Sequence, residues 1–300
     1  MNDLVTVIIA TYGRSTALKR AIYSVLNQTY SNLEILIIDD NDDVKLKNNV
    51  REIVDSIPDK RIKLISNKKN LGGSLARNVG IMNSSAKYIS FLDDDDEYLP
   101  EKIEKQINLF LNSNDDNLAL IYGFCLQKRN GKPFKEYKKN IIGHCIFDGM
   151  IECVAATSQW MCKKELLLKV GMFEDTPCKQ DSYLILKLLC HGYTIDRVPE
   201  ILSVFNTDSG VHRISTSSHK KRIVGEEKLR EYCRANYNLI DDKQKKEVEY
   251  SFFVRLLHHY YAINDKENFR KSLYFVIRYP FRKSTLSAFK DLLKVMIYEN

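Results

Sequence analysis

Short apolar, β-branched runs alternate along the chain with stretches in which apolar residues recur every three or four positions. Residues 4–10 (LVTVIIA) form the first run. After a TYGR turn, the segment from Ser15 to Gln28 sets Leu18, Ile22, Val25 and Leu26 on one helical face behind a Ser/Thr cap. The order then repeats: strand 33–38 (LEILII), helix near 44–56, strand 61–65, helix near 74–84, strand 87–92 (KYISFL), helix near 100–111, and a strand around 118–126. Such alternation predicts an α/β domain with a mostly parallel sheet covered by helices on both faces. Beyond residue 130 the pattern is irregular. It resumes with a helix near 163–170 (KKELLLKV), a GMFED turn and a helix from about Asp181 to His191. From Ser218 the reading is mostly helical, with Phe252, Leu256, His259 and Tyr260 as packing positions. The chain thus divides into a domain over 1–215 and a helical extension over 216–300.

In sheets of this class ligands bind beyond the carboxyl ends of the strands. The polar residues gather there: Thr11 and Tyr12 after the first strand, Asp39 and Asp40 after the second, and Asp93 to Asp96 after the strand at 87–92. The last group, in YISFLDDDDEYLP (88–100), places four carboxylates in succession behind a buried run. Neighbouring carboxylates repel one another unless a positive charge sits between them, so a bound cation is the first reading. The alternative is a solvated acidic turn in which Asp96 or Glu97 caps the helix near Pro100. A calcium-loop reading of Asp93, Asp95, Glu97 and Glu104 fails, because the sixth position, which needs glycine, is Tyr98.

Composition narrows the class. The 300 residues are 44% hydrophobic and 28% charged, as in a globular chain. No apolar run approaches the roughly 20 residues of a membrane-spanning helix, and the N-terminus reads as a strand rather than a leader, so a cytoplasmic location is expected. Seven scattered cysteines without a CxxC pair read as reduced thiols. The net charge of +7 is uneven: residues 213–300 hold 19 Lys/Arg against 11 Asp/Glu, whereas residues 1–212 hold 27 against 28. The basic part suits an anionic surface or a solvated helical face; no nucleic-acid partner is expected.

Five stretches, in order and at consistent separations, resemble the family 2 inverting glycosyltransferases of the GT-A fold: VTVIIATYGR, AIYSVLNQTYSNLEILIIDDNDD, NLGGSLARNVGI, YISFLDDDDEYLP and GMFEDTPCKQDSYLILKLL, together covering roughly residues 3–215. The resemblance implies a UDP-sugar donor, a divalent cofactor (Mn²⁺ or Mg²⁺) and transfer to a glycan hydroxyl. It maps the DxD element onto Asp93 and Asp95, with Asp95 the direct metal ligand and Asp93 nearer the ribose. Asp94 and Asp96 form the other possible register, and Asp94 is counted on the nucleotide side. By the same mapping Asp39 accepts a hydrogen bond from the uracil N3, Thr11 and Tyr12 contact base and ribose, and Arg14 belongs to the same loop, where Gly13 replaces the commoner Asn.

The resemblance further implies that Arg77 reaches the base or diphosphate and that Asp181 is the base for the acceptor hydroxyl, with Gln180 standing where the family usually has Glu. His212, in SGVHRIS, is either a third metal ligand or structural. Trp160 is either an acceptor platform or core. The implied acceptors are lipid-linked glycan intermediates of bacterial capsule, O-antigen or teichoic-acid assembly. The basic, aromatic tail around FRKSLYFVIRYPFRK would suit docking on an anionic inner membrane face. A nucleotidyltransferase would need a glycine-rich phosphate loop after the first strand, and ATYGRST has one glycine. A non-catalytic scaffold would not need the DxD and base carboxylates, and both are present.

Overall fold

A computed structural model describes residues 3–13, 15–207 and 218–278. The chain falls into two compact units, one of residues 1–145, 154–175 and 180–211, the other of 146–153, 176–179 and 212–300.

The first unit is built on a mixed sheet. Its strands are β1 (Val5–Thr11), β2 (Leu33–Asp39), β3 (Ile62–Ser66), β4 (Tyr88–Asp93), β5 (Glu97–Tyr98), β6 (Leu118–Arg129), β7 (Lys132–Tyr137), β8 (Trp160–Lys163) and β9 (Thr194–Asn206). They lie in the order β3-β2-β1-β4-β8-β6-β9-β5, with β7 paired to β6. From β3 to β4 every pairing is parallel, as the alternating pattern predicts. Beyond β4 the sheet is mixed: β8 runs antiparallel to both β4 and β6, β9 runs parallel to β6, and β5 and β7 pair antiparallel. The helices are α1 (Ser15–Leu26), α2 (Val44–Asp55), α3 (Gly73–Asn83), α4 (Lys102–Asn112), α6 (Lys164–Lys169) and α7 (Gln180–Cys190), α5 (Ile146–Ile151) belonging to the second unit.

The central parallel strands β1, β2 and β4 are largely buried on both faces, which is why they read as continuous runs, and β2 is buried at all seven positions. One core joins Val5, Val7 and Ile9 of β1 with Ile35 and Ile37 of β2 and Leu18, Ile22 and Val25 of α1. On the opposite face α3 approaches β1 so closely that a Cβ on Gly80 would lie 2.6 Å from Ile8 Cγ2. Overfilling such a contact costs about 1–3 kcal/mol. Trp160 settles into the core, fully buried between Phe91 and Phe173, and is therefore no acceptor platform. Lys102 is buried beside it, donating from Nζ to Ser90 Oγ at 2.5 Å and lying 4.0 Å from the Tyr98 ring. Burial pulls its pKa well below the usual lysine range.

The second unit pairs α8 (His219–Ala235) with α9 (Asp242–Ala262), and α9 with α10 (Lys266–Ile277). Its core gathers Leu229, Cys233, Val248, Phe252, Leu256 and Val276. Ion pairs between Arg230 and Glu249 (2.5 Å) and between Arg255 and Glu226 (2.9 Å) tie α8 to α9 in antiparallel register. Among the described residues no helix is long and apolar enough to cross a membrane, and all seven cysteines are free thiols.

Candidate functional site

The strand order places β1 between β2 and β4, with the chain running outward on both sides. This is a topological switch point, where the loops following neighbouring strands part and leave a crevice at the carboxyl ends. The register brings the polar ends level: Thr11 pairs with Asp39, and Ala10 with Asp93. Three motifs separated along the chain therefore meet at one sheet edge because their strands are parallel and paired in register.

The four consecutive aspartates divide by burial. Asp94 and Asp96 are buried, whereas Asp93 and Asp95 are half-exposed. Asp94 Oδ2 accepts from the Thr11 hydroxyl at 2.7 Å, and Asp96 Oδ2 accepts from Ser158 Oγ at 2.8 Å. Asp96 is therefore a tie to the 3₁₀ turn at Thr157–Gln159, not a helix cap: α4 begins only at Lys102, with Glu101 in the cap position and no side-chain cap bond. The Asp95 carbonyl accepts from Arg20 (3.0 Å) and Asn206 (3.1 Å), so the backbone of the turn is fastened from two sides. The Asp93 amide donates to Ser158 Oγ at 3.1 Å.

Arg77 connects this turn to α7. Its buried guanidinium donates through Nη2 to Asp93 Oδ1 at 2.5 Å and through Nη1 to Gln180 Oε1 at 2.7 Å and the Gly73 carbonyl at 3.2 Å. The forked, planar donor set of arginine makes this possible; a lysine ammonium could not hold the same two planes. Asp181 follows Gln180 in the first turn of α7, half-exposed, with Oδ1 accepting from the Ser182 amide at 2.7 Å. The Gln180 amide oxygen accepts this hydrogen bond from the guanidinium without adding a charge beside Asp181.

At the end of β2, Asp39 is buried. Its Oδ1 accepts from the Asn41 amide (3.1 Å) and Asn41 Nδ2 (2.7 Å), and its Oδ2 from Ser66 Oγ (3.2 Å). Asp40, given no role by the sequence, holds the loop before α3: its carboxylate accepts from Asn67 Nδ2, the Leu71 amide and the Gly72 amide at 2.8–2.9 Å. Gly72 has φ of +83°, and no atom lies within 4 Å of where its Cβ would be. Glycine is required there for backbone sign and not for close approach. Tyr12 is exposed, and the Gly13 amide donates to Asn41 Oδ1 at 2.8 Å. Arg14 and His212 lie outside the described residues.

The structure thus brings Thr11, Asp39, Arg77, Asp93, Asp94, Asp95 and Asp181 to one end of the sheet. It adds Asp40, Thr157, Ser158 and Gln180, which the sequence reading assigned no part. Ser158 carries no motif and is recognisable only from its bonds to Asp93 and Asp96. The oxygen donors of Asp93 and Asp95 fit a hard divalent cation such as Mn²⁺ or Mg²⁺, which prefers carboxylates to nitrogen or sulfur.

The glycosyl transferase family 2 model matches residues 6–170. The chain belongs to this family. The matched span includes the crevice residues from Thr11 to Ser158, so the family assignment rests on the same strand ends that build the site. The family 2 domain is 37% identical over 124 residues to WfgD of Escherichia coli, a UDP-Glc:alpha-D-GlcNAc-diphosphoundecaprenol beta-1,3-glucosyltransferase, covering 41% of this chain and 46% of WfgD. The chain spans about half the length (48%) of the first of the curated relatives it matches.

In fold it is similar to S. aureus TarS residues 1–349, whose structure contains UDP-GlcNAc, with a TM-score of 0.57, 15% identity, and coverage of 89% of this chain and 90% of that one. It is likewise similar to the mannosyltransferase PcManGT from Pyrobaculum calidifontis, whose structure contains GDP-Man and Mn²⁺, with a TM-score of 0.55, 14% identity, and coverage of 97% and 80%. At these identities the likeness is one of fold: a GT-A architecture.

Proposed function

We propose that this family 2 domain is an inverting, metal-dependent glycosyltransferase that moves a sugar from a UDP-linked donor to a hydroxyl of a lipid-linked glycan acceptor in bacterial surface-polysaccharide assembly. The observation that carries the reading is the Arg77 guanidinium, which ties Asp93 of the aspartate turn to Gln180, the neighbour of Asp181. One side chain thereby links a donor-side carboxylate to the residue beside the candidate base, Arg77 and Gln180 being 103 residues apart in sequence.

In this account Asp95, with Asp93, holds Mn²⁺ or Mg²⁺. When bound, the ion neutralises the negative charge that builds on the departing diphosphate. Asp39 and Thr11 hold the uridine, Tyr12 walls the base, and Arg14 belongs to the same loop. Asp94 acts on the nucleotide side through Thr11, whose hydroxyl it orients. Arg77 acts on the diphosphate side and positions Asp93. The acceptor oxygen forms its bond to the anomeric carbon as the bond to the diphosphate breaks, and Asp181 takes the hydroxyl proton in the same step. His212 is retained as a candidate third metal ligand.

A UDP donor and a lipid-linked acceptor are supported by the chemistry of WfgD; a divalent ion is supported by the donor set of Asp93 and Asp95. The division into a catalytic domain at 1–215 and a helical extension at 216–300 belongs to the same proposal, as does contact of the basic extension with an anionic membrane face. Of the tail stretch 269–283, only residues 269–278 lie among the described ones, and Tyr274 and Ile277 are exposed there. The test is a panel of nucleotide sugars scored by metal-dependent thermal shift and hydrolysis: UDP-linked members should respond in Mn²⁺ and not in EDTA. A response confined to GDP-linked sugars, or indifferent to the metal, would refute the reading.

A further inference from the structure

The second unit holds a cluster that lies outside the span matched by the family model and that the proposed chemistry does not use. His219 opens α8, and His258 and His259 lie in the last turns of α9. The antiparallel register fixed by the Arg230–Glu249 and Arg255–Glu226 pairs brings those helix ends together. The three imidazoles form a nearly equilateral triangle, with ring centroids 5.1, 5.2 and 5.3 Å apart. One ligating nitrogen from each falls within 4.8 Å of the others.

We propose that His219, His258 and His259 form a transition-metal site that takes Zn²⁺, or Co²⁺ in its place, through three imidazole nitrogens and leaves a fourth position for water. The ligand type decides the ion. Imidazole suits Zn²⁺, Co²⁺ and Ni²⁺, whereas Mn²⁺ and Mg²⁺ prefer the oxygen donors of the aspartate turn. The spacing agrees: with zinc–nitrogen bonds of about 2.0–2.1 Å in tetrahedral geometry, ligand nitrogens lie roughly 3.3 Å apart. His219 Nδ1 and His259 Nδ1 are 3.0 Å apart, so small ring rotations would bring the set to that separation.

Glu226 is not offered as a fourth ligand, because it is buried and held by Lys179 at 2.9 Å and Arg255 at 2.9 Å. His219 and His258 are half-exposed and His259 is buried, so an ion has an entry side and a fixed back. A metal here would clamp the beginning of α8 to the end of α9, adding its binding free energy to the folded helical unit.

The alternative for these residues is a proton shared between His219 and His259 with no affinity for metal. Titration of the full, chelator-stripped chain with Co²⁺ separates the two. One equivalent should develop the visible absorption of a four-coordinate ion, Zn²⁺ should abolish it, and Asp95→Asn should leave it unchanged. His219→Gln and His258→Gln, both at half-exposed positions, should each remove the band while helical circular dichroism stays at the wild-type value. Should either variant fail to fold, Zn²⁺ protection of His258 against ethoxyformylation in the wild-type chain, read by peptide mass spectrometry, tests the same contact. An absent band, a band that survives in the histidine variants, a band that disappears in Asp95→Asn, or a lack of protection would overturn the proposal.

Discussion

The aspartate turn and the histidine triangle gather metal-competent side chains by opposite means. The aspartates are neighbours in sequence, and the fold sorts them: Asp94 and Asp96 turn inward to Thr11 and Ser158, and Asp93 and Asp95 stay half-exposed. The histidines come from two helices, with His219 40 residues from His259, and only the antiparallel packing of α8 on α9 makes them neighbours. A run of like residues thus overstates the number of available ligands, and a scattered set conceals them. The donor atoms differ as well, so oxygen-preferring and nitrogen-preferring ions should separate between the two places.

The largest effect expected from breaking the first region is at Asp181. If it only takes the acceptor proton, Asp181→Asn keeps size and a hydrogen-bonding oxygen and should lower sugar transfer by roughly 10²–10⁴-fold, with UDP affinity at the wild-type level. Loss of UDP affinity along with rate would place Asp181 in donor binding, and unchanged transfer would remove it from the chemistry. Arg77→Lys comes next. A lysine cannot span Asp93 and Gln180, and a misplacement of the order of an ångström costs up to about 10²-fold in turnover; steady-state kinetics at saturating donor measure this.

A smaller effect is expected from Gly80→Ala, which drives a methyl against Ile8 and should cost about 1–3 kcal/mol in chemical denaturation. The smallest is expected in the second region. His258→Gln should leave glycosyl transfer at the wild-type rate, in contrast to every substitution at the strand ends. A transfer rate that falls with His258→Gln would dissolve the distinction between the two clusters.

The parallel part of the sheet was legible because each strand is an apolar run followed at once by polar residues, and parallel pairing sets Asp39 beside Thr11 and Asp93 beside Ala10. The mixed part was not. β8 is only four residues long, and β9 carries Pro199 where its pairing with β6 jumps from Val198 to Ile201, a bulge that tolerates the missing amide. Within the site, the acidic run was visible but its sorting was not, since burial of Asp94 depends on a hydroxyl 83 residues away. Gln180 looked like a departure from the family, and its reason lies in the guanidinium of Arg77 across the crevice. The need for glycine at position 72 comes from its backbone angle, φ +83°, which the sequence does not display.

The central claim, that Asp95 and not Asp94 is the metal-facing carboxylate, is tested most directly by the thermal shift that UDP produces with Mn²⁺ and with EDTA, compared among wild type, Asp95→Asn and Asp94→Asn. The wild type should be stabilised by UDP only with the ion present, because diphosphate and carboxylates both need it between them. Asp95→Asn should abolish that metal-dependent shift. Asp94→Asn, which retains an oxygen for the Thr11 hydroxyl, should keep most of it. The reverse order, or an equal shift in EDTA for the wild type, would contradict the account.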